Sequence, residues 1–145
     1  MMTLKKFKKV LGSRRYLLAD AITRETGKTY LESNEEVNLL ISKIDITISA
    51  GRRELEKLMV SREAFGLYRP YGVAAVLGPF NFPLHLPHGQ IVPALLAGNT
   101  VVFKPSDKSC RAGQLYAECA AAAGFPRGVV NVVMGGAVVG ERLAI

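Results

Sequence analysis

Leu4, Phe7, Val10, Leu11, Leu17, Leu18, Ala21 and Ile22 recur at helical spacing without a break. They predict one amphipathic helical run, stopped by Gly27 with Lys28 just beyond. Ser33-Asn34-Glu35-Glu36 has the form of a capping box, in which the serine hydroxyl takes an orphan amide and Glu36 reaches back. The helix it would open carries Val37, Leu40, Ile41, Ile44 and Ile48 on one face and can run on through Glu54-Leu55-Glu56-Lys57-Leu58. Residues 1–60 therefore read as a helical part whose apolar faces need another surface to cover them. Between 61 and 70 the period changes. Ala64, Phe65, Leu67 and Tyr68, bounded by Gly66 and Arg69-Pro70, suggest a short extended connection.

From residue 71 the grammar is regular. Val73–Leu77 predicts a strand, about Phe82–Ala97 a helix ended by Gly98-Asn99, and Thr100–Phe103 a second strand. A helix over about Ser109–Ala123 stops at Gly124, with Pro126 two residues later. Val129–Val133 predicts a third strand, and a last helix begins near Val138. The fold class is α/β: N-terminal helices followed by a partial Rossmann-like β-α-β-α-β unit over 71–145. Connections of this length require parallel strands. Continuous Val, Ala and Phe suit a sheet covered on both faces.

A chain of 145 residues with 49% hydrophobic content can bury a real core as one domain. Its apolar runs are shorter than a membrane span, so no membrane partner is expected. The net charge of +7 is concentrated at the start: Lys5, Lys6, Lys8, Lys9, Arg14 and Arg15 leave only +1 for residues 16–145. A nucleic-acid footprint would cover a face of the domain. Here the charge reads as the solvated side of a folded helix, and neither a targeting peptide nor nucleic-acid binding is expected. Cys110 and Cys119 share one predicted helix without metal-ligand spacing, which reads as reduced thiols in a cytoplasmic protein. His85 and His88 lie on one helix without a third ligand, so they read as surface or packing residues and no metal is expected.

In an open parallel sheet, ligands bind beyond the carboxyl ends of the strands. Gly78–Asn81, Lys104–Asp107 and Gly135-Gly136 all fall at that edge, and they hold most of the unusual polar chemistry. Lys104 can reach over the rim to ribose hydroxyls or a phosphate; alternatively it is solvated. Asp107 can accept from a ribose diol and would repel a 2′-phosphate, favouring NAD over NADP; alternatively Ser106 or Asp107 caps the next helix. Asn81 stands close to a helix start, before Phe82-Pro83. Spacing alone favours a helix cap, and the functional alternative is an amide donor for a developing oxyanion.

Gly78-Pro79-Phe80-Asn81-Phe82-Pro83, Gly98-Asn99-Thr100-Val101-Val102-Phe103-Lys104-Pro105-Ser106 and Ala123-Gly124-Phe125-Pro126 with Gly128-Val129-Val130-Asn131 together resemble the aldehyde dehydrogenase superfamily. Arg24-Glu25-Thr26-Gly27-Lys28 is similar to its N-terminal region. His85–Pro93 and Lys43-Ile44-Asp45-Ile46 resemble the branch that oxidises N-succinylglutamate 5-semialdehyde in arginine catabolism. The resemblance implies Asn81 as oxyanion-hole amide and NAD as cofactor. It implies that Leu77, Gly78, Pro79 and Phe80 line the cofactor, and that Lys104, Ser106 and Asp107 lie on the adenosine ribose side. Asp107 stands where the family often has the longer Glu. Gly135 and Gly136 would lie near the adenine, and the substrate would be a small aldehyde.

The family mechanism needs a cysteine thiolate to attack the aldehyde and a glutamate to activate water. Neither Cys110 nor Cys119 matches the nucleophile's motif, and the catalytic domain is expected to be absent from these residues. The same holds for the strand-turn-helix that binds the pyrophosphate. The expectation is a chain inactive alone, binding NAD weakly and self-associating through exposed edges.

Overall fold

The computed structural model describes residues 1–55, 58–59 and 64–145. Three helices open the chain: α1 (Met2–Ser13), α2 (Arg15–Thr26) and α3 (Tyr30–Glu54). The predicted unbroken run is in fact two helices parted at Arg14, which has φ −103° and ψ 13°. Ser13 lies at that break and donates its hydroxyl to the Val10 carbonyl at 2.9 Å, competing with the helical ladder. Gly27 ends α2 in the left-handed region, as expected of a glycine stop.

The capping box is displaced by one repeat of its own pattern. Thr29, not Ser33, caps α3: Glu32 N–H donates to Thr29 Oγ1 at 3.3 Å, and Thr29 N–H donates to Glu32 Oε2 at 3.0 Å. Ser33 and Glu36 lie inside the helix and are buried. Helix α3 stops at Glu54, and Leu58 lies in a strand instead of a continued helix. That strand, β1 (Leu58–Met59), pairs antiparallel with β2 (Phe65–Gly66), within the stretch expected to be extended. Glu56 and Lys57 of the expected helix and residues 61–63 of the expected connection lie outside the described residues.

The regular part follows as β3 (Val73–Leu77), α4 (His85–Leu96), β4 (Thr100–Lys104), α5 (Cys110–Ala122), β5 (Val130–Val132) and α6 (Ala137–Ala144). The three strands form a parallel sheet in the order β3-β4-β5, with Leu77 opposite Lys104 and Phe103 opposite Val132. The polar ends opposite the site are pinned locally. Asn99 Oδ1 accepts from Gly72 N–H at 3.0 Å, and Asn131 Nδ2 donates to the carbonyls of Gly128 and Val101 at 2.8 and 3.2 Å.

Helices α1–α3 pack mainly on one another and on α4 and α5. One apolar core runs from Leu4, Phe7, Leu11, Leu18 and Ile22, through Val37, Leu40 and Ile44, to Ile91, Val101, Phe103 and Leu115. Phe7 is its hinge point, with ring centroids 5.3 Å from Tyr116, 5.6 Å from Phe125 and 6.1 Å from His88. The predicted helical period of α1 is thus used: Leu4, Phe7 and Leu11 are buried while Lys5, Lys6 and Lys9 point to solvent. Lys8 pairs with Asp45 of α3.

The sheet departs from the two-sided burial its composition suggests. Val76 of β3 is buried, but Val73 and Leu77 remain 66% and 47% exposed. Helix α6 also touches β3, yet Val73, Ala75 and Leu77, at alternate positions, stay exposed.

Candidate functional site

The carboxyl ends of β3, β4 and β5 meet at one rim, and two hydrogen bonds stitch it together. Gly78 N–H donates to the Lys104 carbonyl at 2.8 Å, extending the β3–β4 ladder by one residue. Lys104 Nζ donates to the Gly135 carbonyl at 2.7 Å and to the Pro105 carbonyl at 2.8 Å. Lys104 also supplies a third link, because its side chain lies against Gly140 of α6. Gly135 has φ +155°, and a side chain there would come within 2.3 Å of Val139 Cγ2, so the turn into α6 admits only glycine without rearrangement. The predicted residues of all three turns therefore share one edge.

Lys104 is neither solvated nor free. The residue is 8% exposed, and its ammonium is held by two backbone carbonyls. Among the described residues no carboxylate pairs with it. An ammonium has a further N–H to offer beyond those two bonds, which suits an uncharged hydroxyl or an anion.

Asp107 is exposed, and among the described residues its carboxylate accepts one hydrogen bond, from the Ser106 hydroxyl to Oδ1 at 3.3 Å. Ser106 Oγ in turn accepts from Lys108 N–H at 3.2 Å, closing a local turn. Neither residue caps α5, whose preceding residue is Ser109. Asn81 is exposed as well, and among the described residues its amide has no hydrogen-bond partner. It does not cap α4, whose N-cap residue is Leu84, three residues later. The helix-cap role that spacing favoured for Asn81 is therefore incorrect, and the side chain is left unengaged at the rim. Phe80, 58% exposed, lies beneath Lys108, whose Nζ is 5.2 Å from the ring centroid. Pro79 and Gly78 are half-buried, and Leu77 and Gly136 are exposed. The Gly78 amide is spent on the sheet and is not free for a ligand.

The real caps came from residues whose roles the sequence did not disclose. Glu36 Oε1 accepts from Leu84 N–H and His85 N–H, both at 3.1 Å, at the start of α4. Glu25 takes Arg111 N–H at 2.7 Å and Ala112 N–H at 2.8 Å at the start of α5. Each carboxylate meets the positive end of a helix dipole. One signal was available: Glu36 lies four residues before Leu40 and so belongs to the buried stripe of α3. A charge on such a stripe requires a partner.

The remaining candidates are structural. His88 is fully buried, with Nδ1 2.8 Å from the Tyr116 hydroxyl. Burial drives its pKa down to about 3, helped by the charges of His85 and Lys43. His85 is also lowered, first by desolvation and then by Lys43. Cys119 is buried, and desolvation raises its thiol pKa, the reverse of an activated nucleophile. Cys110 is half-buried, and its thiol lies near the Asp107 carbonyl at 3.4 Å. Among the described residues no group of acidic, His or Cys side chains could hold a metal, and no helix is long and apolar enough to cross a membrane.

The aldehyde dehydrogenase family model matches residues 2–145. This chain belongs to the aldehyde dehydrogenase family. It is 48% identical over 143 residues to N-succinylglutamate 5-semialdehyde dehydrogenase 2 of Caulobacter vibrioides, covering 97% of itself and 30% of that protein. It therefore spans less than a third of the length of such relatives. The crystal structure of lactaldehyde dehydrogenase from Escherichia coli superposes with a TM-score of 0.90 at 30% identity, over 98% of this chain and 31% of that one. A putative methylmalonate-semialdehyde dehydrogenase from Sinorhizobium meliloti, crystallised with NAD, matches with a TM-score of 0.89 at 26% identity, over 97% and 29% of the two chains. The fold is accordingly the Rossmann-like α/β architecture of these enzymes.

Proposed function

We propose that these residues form the first part of the NAD-binding domain of a dehydrogenase acting on N-succinylglutamate 5-semialdehyde. The observation that supports this reading is the stitched rim, where Gly78, Lys104 and Gly135 are joined at one edge of a parallel sheet and Asn81 and Asp107 follow in the turns that leave it. The donor set fits a dinucleotide. Lys104 offers a cationic N–H without a carboxylate partner, and Asp107 offers an unpaired acceptor for a ribose diol. NAD, when bound, supplies the hydride acceptor. Lys104 and Asp107 would hold the ribose, and Asn81 would donate its amide N–H to the aldehyde oxygen as negative charge develops on it. The substrate rests on the 48% identity to the Caulobacter enzyme.

The nucleophile is not among these residues: Cys119 is buried in the helical core and Cys110 opens α5. The 145-residue chain alone is expected to be inactive and to bind NAD with a dissociation constant in the millimolar range or weaker, equivalent to about 4 kcal/mol or less. Titrating NAD into the ¹⁵N-labelled chain should shift the amides of 78–81, 104–107 and 135–136, more with NAD than with NADP. Lys104→Met should abolish the shifts. Shifts confined to other regions, or a micromolar constant by calorimetry, would contradict the proposal. A cytoplasmic location accords with two free cysteines.

A second reading is a non-catalytic, self-associating protein. It is favoured by β3, an edge strand with exposed Val73 and Leu77 beside a fully exposed Tyr71. Reading the coding sequence past codon 145 separates the two: an open frame with a cysteine motif supports the enzyme, and a stop codon supports the remnant.

A further inference from the structure

We propose that Lys28 and Glu36 form a latch that fixes the β3–α4 turn and, through it, the Asn81 amide, which makes Glu36 a positioning residue. The inference rests on reading Asn81 as the oxyanion donor.

Glu36 is 1% exposed, and both of its carboxylate oxygens are engaged. Oε1 takes the Leu84 and His85 amides, and Oε2 takes Lys28 Nζ at 2.7 Å. Lys28 has a second contact: its Nζ lies 3.7 Å from the centroid of the Phe82 ring. Phe82 is the residue after Asn81, and Leu84 is the third. The latch therefore grips the turn at two places directly beyond the functional amide. It does so from the α2–α3 connection, where Gly27 and Thr29 set the position of Lys28.

The turn is anchored at its ends, by the Gly78 amide on the Lys104 carbonyl and by buried Leu84, and its middle is open. Phe80 and Phe82 are 58% and 39% exposed, and Asn81 makes no hydrogen bond among the described residues. The first-turn amides of α4 find no cap from the segment's own side chains. A buried carboxylate costs several kcal/mol unless it is paired and hydrogen-bonded, and here the lysine and the helix end supply both.

Glu25 provides an internal control. It caps α5 with the same chemistry, but among the described residues it has no ion pair and no link to an aromatic ring beside a rim residue. A purely structural cap and a latch therefore make different predictions within one molecule. In the full 145-residue chain, Glu36→Gln should accelerate amide hydrogen exchange across 80–85 by roughly tenfold or more, as expected from losing charge-assisted bonds. It should also move the Asn81 side-chain ¹⁵NH₂ resonance, while strand 73–76 and the start of α5 stay protected. Phe82→Leu, which keeps both members of the Lys28–Glu36 pair, should give the same pattern at smaller amplitude. Glu25→Gln should loosen 111–112 and leave the Asn81 resonance in place.

Uniformly faster exchange over the whole chain in Glu36→Gln, with Phe82→Leu silent at 80–85, would overturn the latch. An Asn81 resonance that responds equally to Glu25→Gln would do the same. The reading of Asn81 fails separately: NAD-dependent shifts that avoid 78–81 would refute that reading while leaving a latch shown by exchange intact.

Discussion

His88 makes the stability of this domain depend on pH in a way that can be calculated. The imidazole is fully buried between Phe7 and Tyr116, with one ring nitrogen 2.8 Å from the Tyr116 hydroxyl and Nε2 without a hydrogen-bond partner among the described residues. Burial lowers its pKa from 6.5 to about 3, with the charges of His85 and Lys43 adding to the effect. The Leu40 carbonyl pulls weakly the other way without forming a regular hydrogen bond. An unfolded chain takes up the proton near 6.5, whereas the folded one refuses it until about 3. Between those values the unfolded state binds more protons, so stability falls as the pH falls. The loss from this one group is about 1.4 kcal/mol at one pH unit below 6.5 and approaches about 2.7 kcal/mol at two units below. The assay is urea unfolding followed by far-ultraviolet circular dichroism, since the chain has no tryptophan. Wild type and His88→Gln are compared at pH 7.5 and about 5.5, above the range where most carboxylates titrate. The variant is less stable at the higher pH, because it loses packing against Phe7. The gap between the two proteins should narrow by about 1 kcal/mol or more at the lower pH, because only wild type carries the His88 penalty. An unchanged gap would show that His88 is not held neutral by the fold.

Three other outcomes test separate parts of the architecture. Gly113→Ala places a methyl group 2.5 Å from Pro105 Cγ, so it should cost about 1–3 kcal/mol and lower the melting temperature. An unaltered melt would mean that the Lys104–Asp107 turn yields freely. Under limited iodoacetamide, mass spectrometry should find Cys110 alkylated well before Cys119, which is buried and has its pKa raised by desolvation; the opposite order would contradict the packing of α5. Val73→Lys on the exposed face of the edge strand should reduce self-association in sedimentation at high concentration. A wild-type chain that stays monomeric there would remove the self-association reading.

The strands and helices of residues 71–145 were legible because they depend on short-range pattern. An apolar run such as Val73–Leu77 or Thr100–Phe103, closed by glycine, proline or asparagine, has one low-energy local form, and β4 extends the expectation by only one residue. Parallel connection then brings the three following turns to one rim, so the candidate site was legible as a set. The division at Arg14 was not, because the apolar period continues across it while a serine hydroxyl competes for the backbone.

What tertiary structure alone decided is where each charge finds its partner. Thr29–Glu32 and Ser33–Glu36 carry the same capping pattern, and nothing local separates them. Packing does: Glu36 faces the start of α4, so its carboxylate serves amides 48 and 49 residues away while Thr29 takes the cap of α3. Lys104 likewise meets a carbonyl 31 residues further along the chain. Periodicity reports which side of an element is buried, but a buried ion is stabilised by whatever group the fold delivers to it.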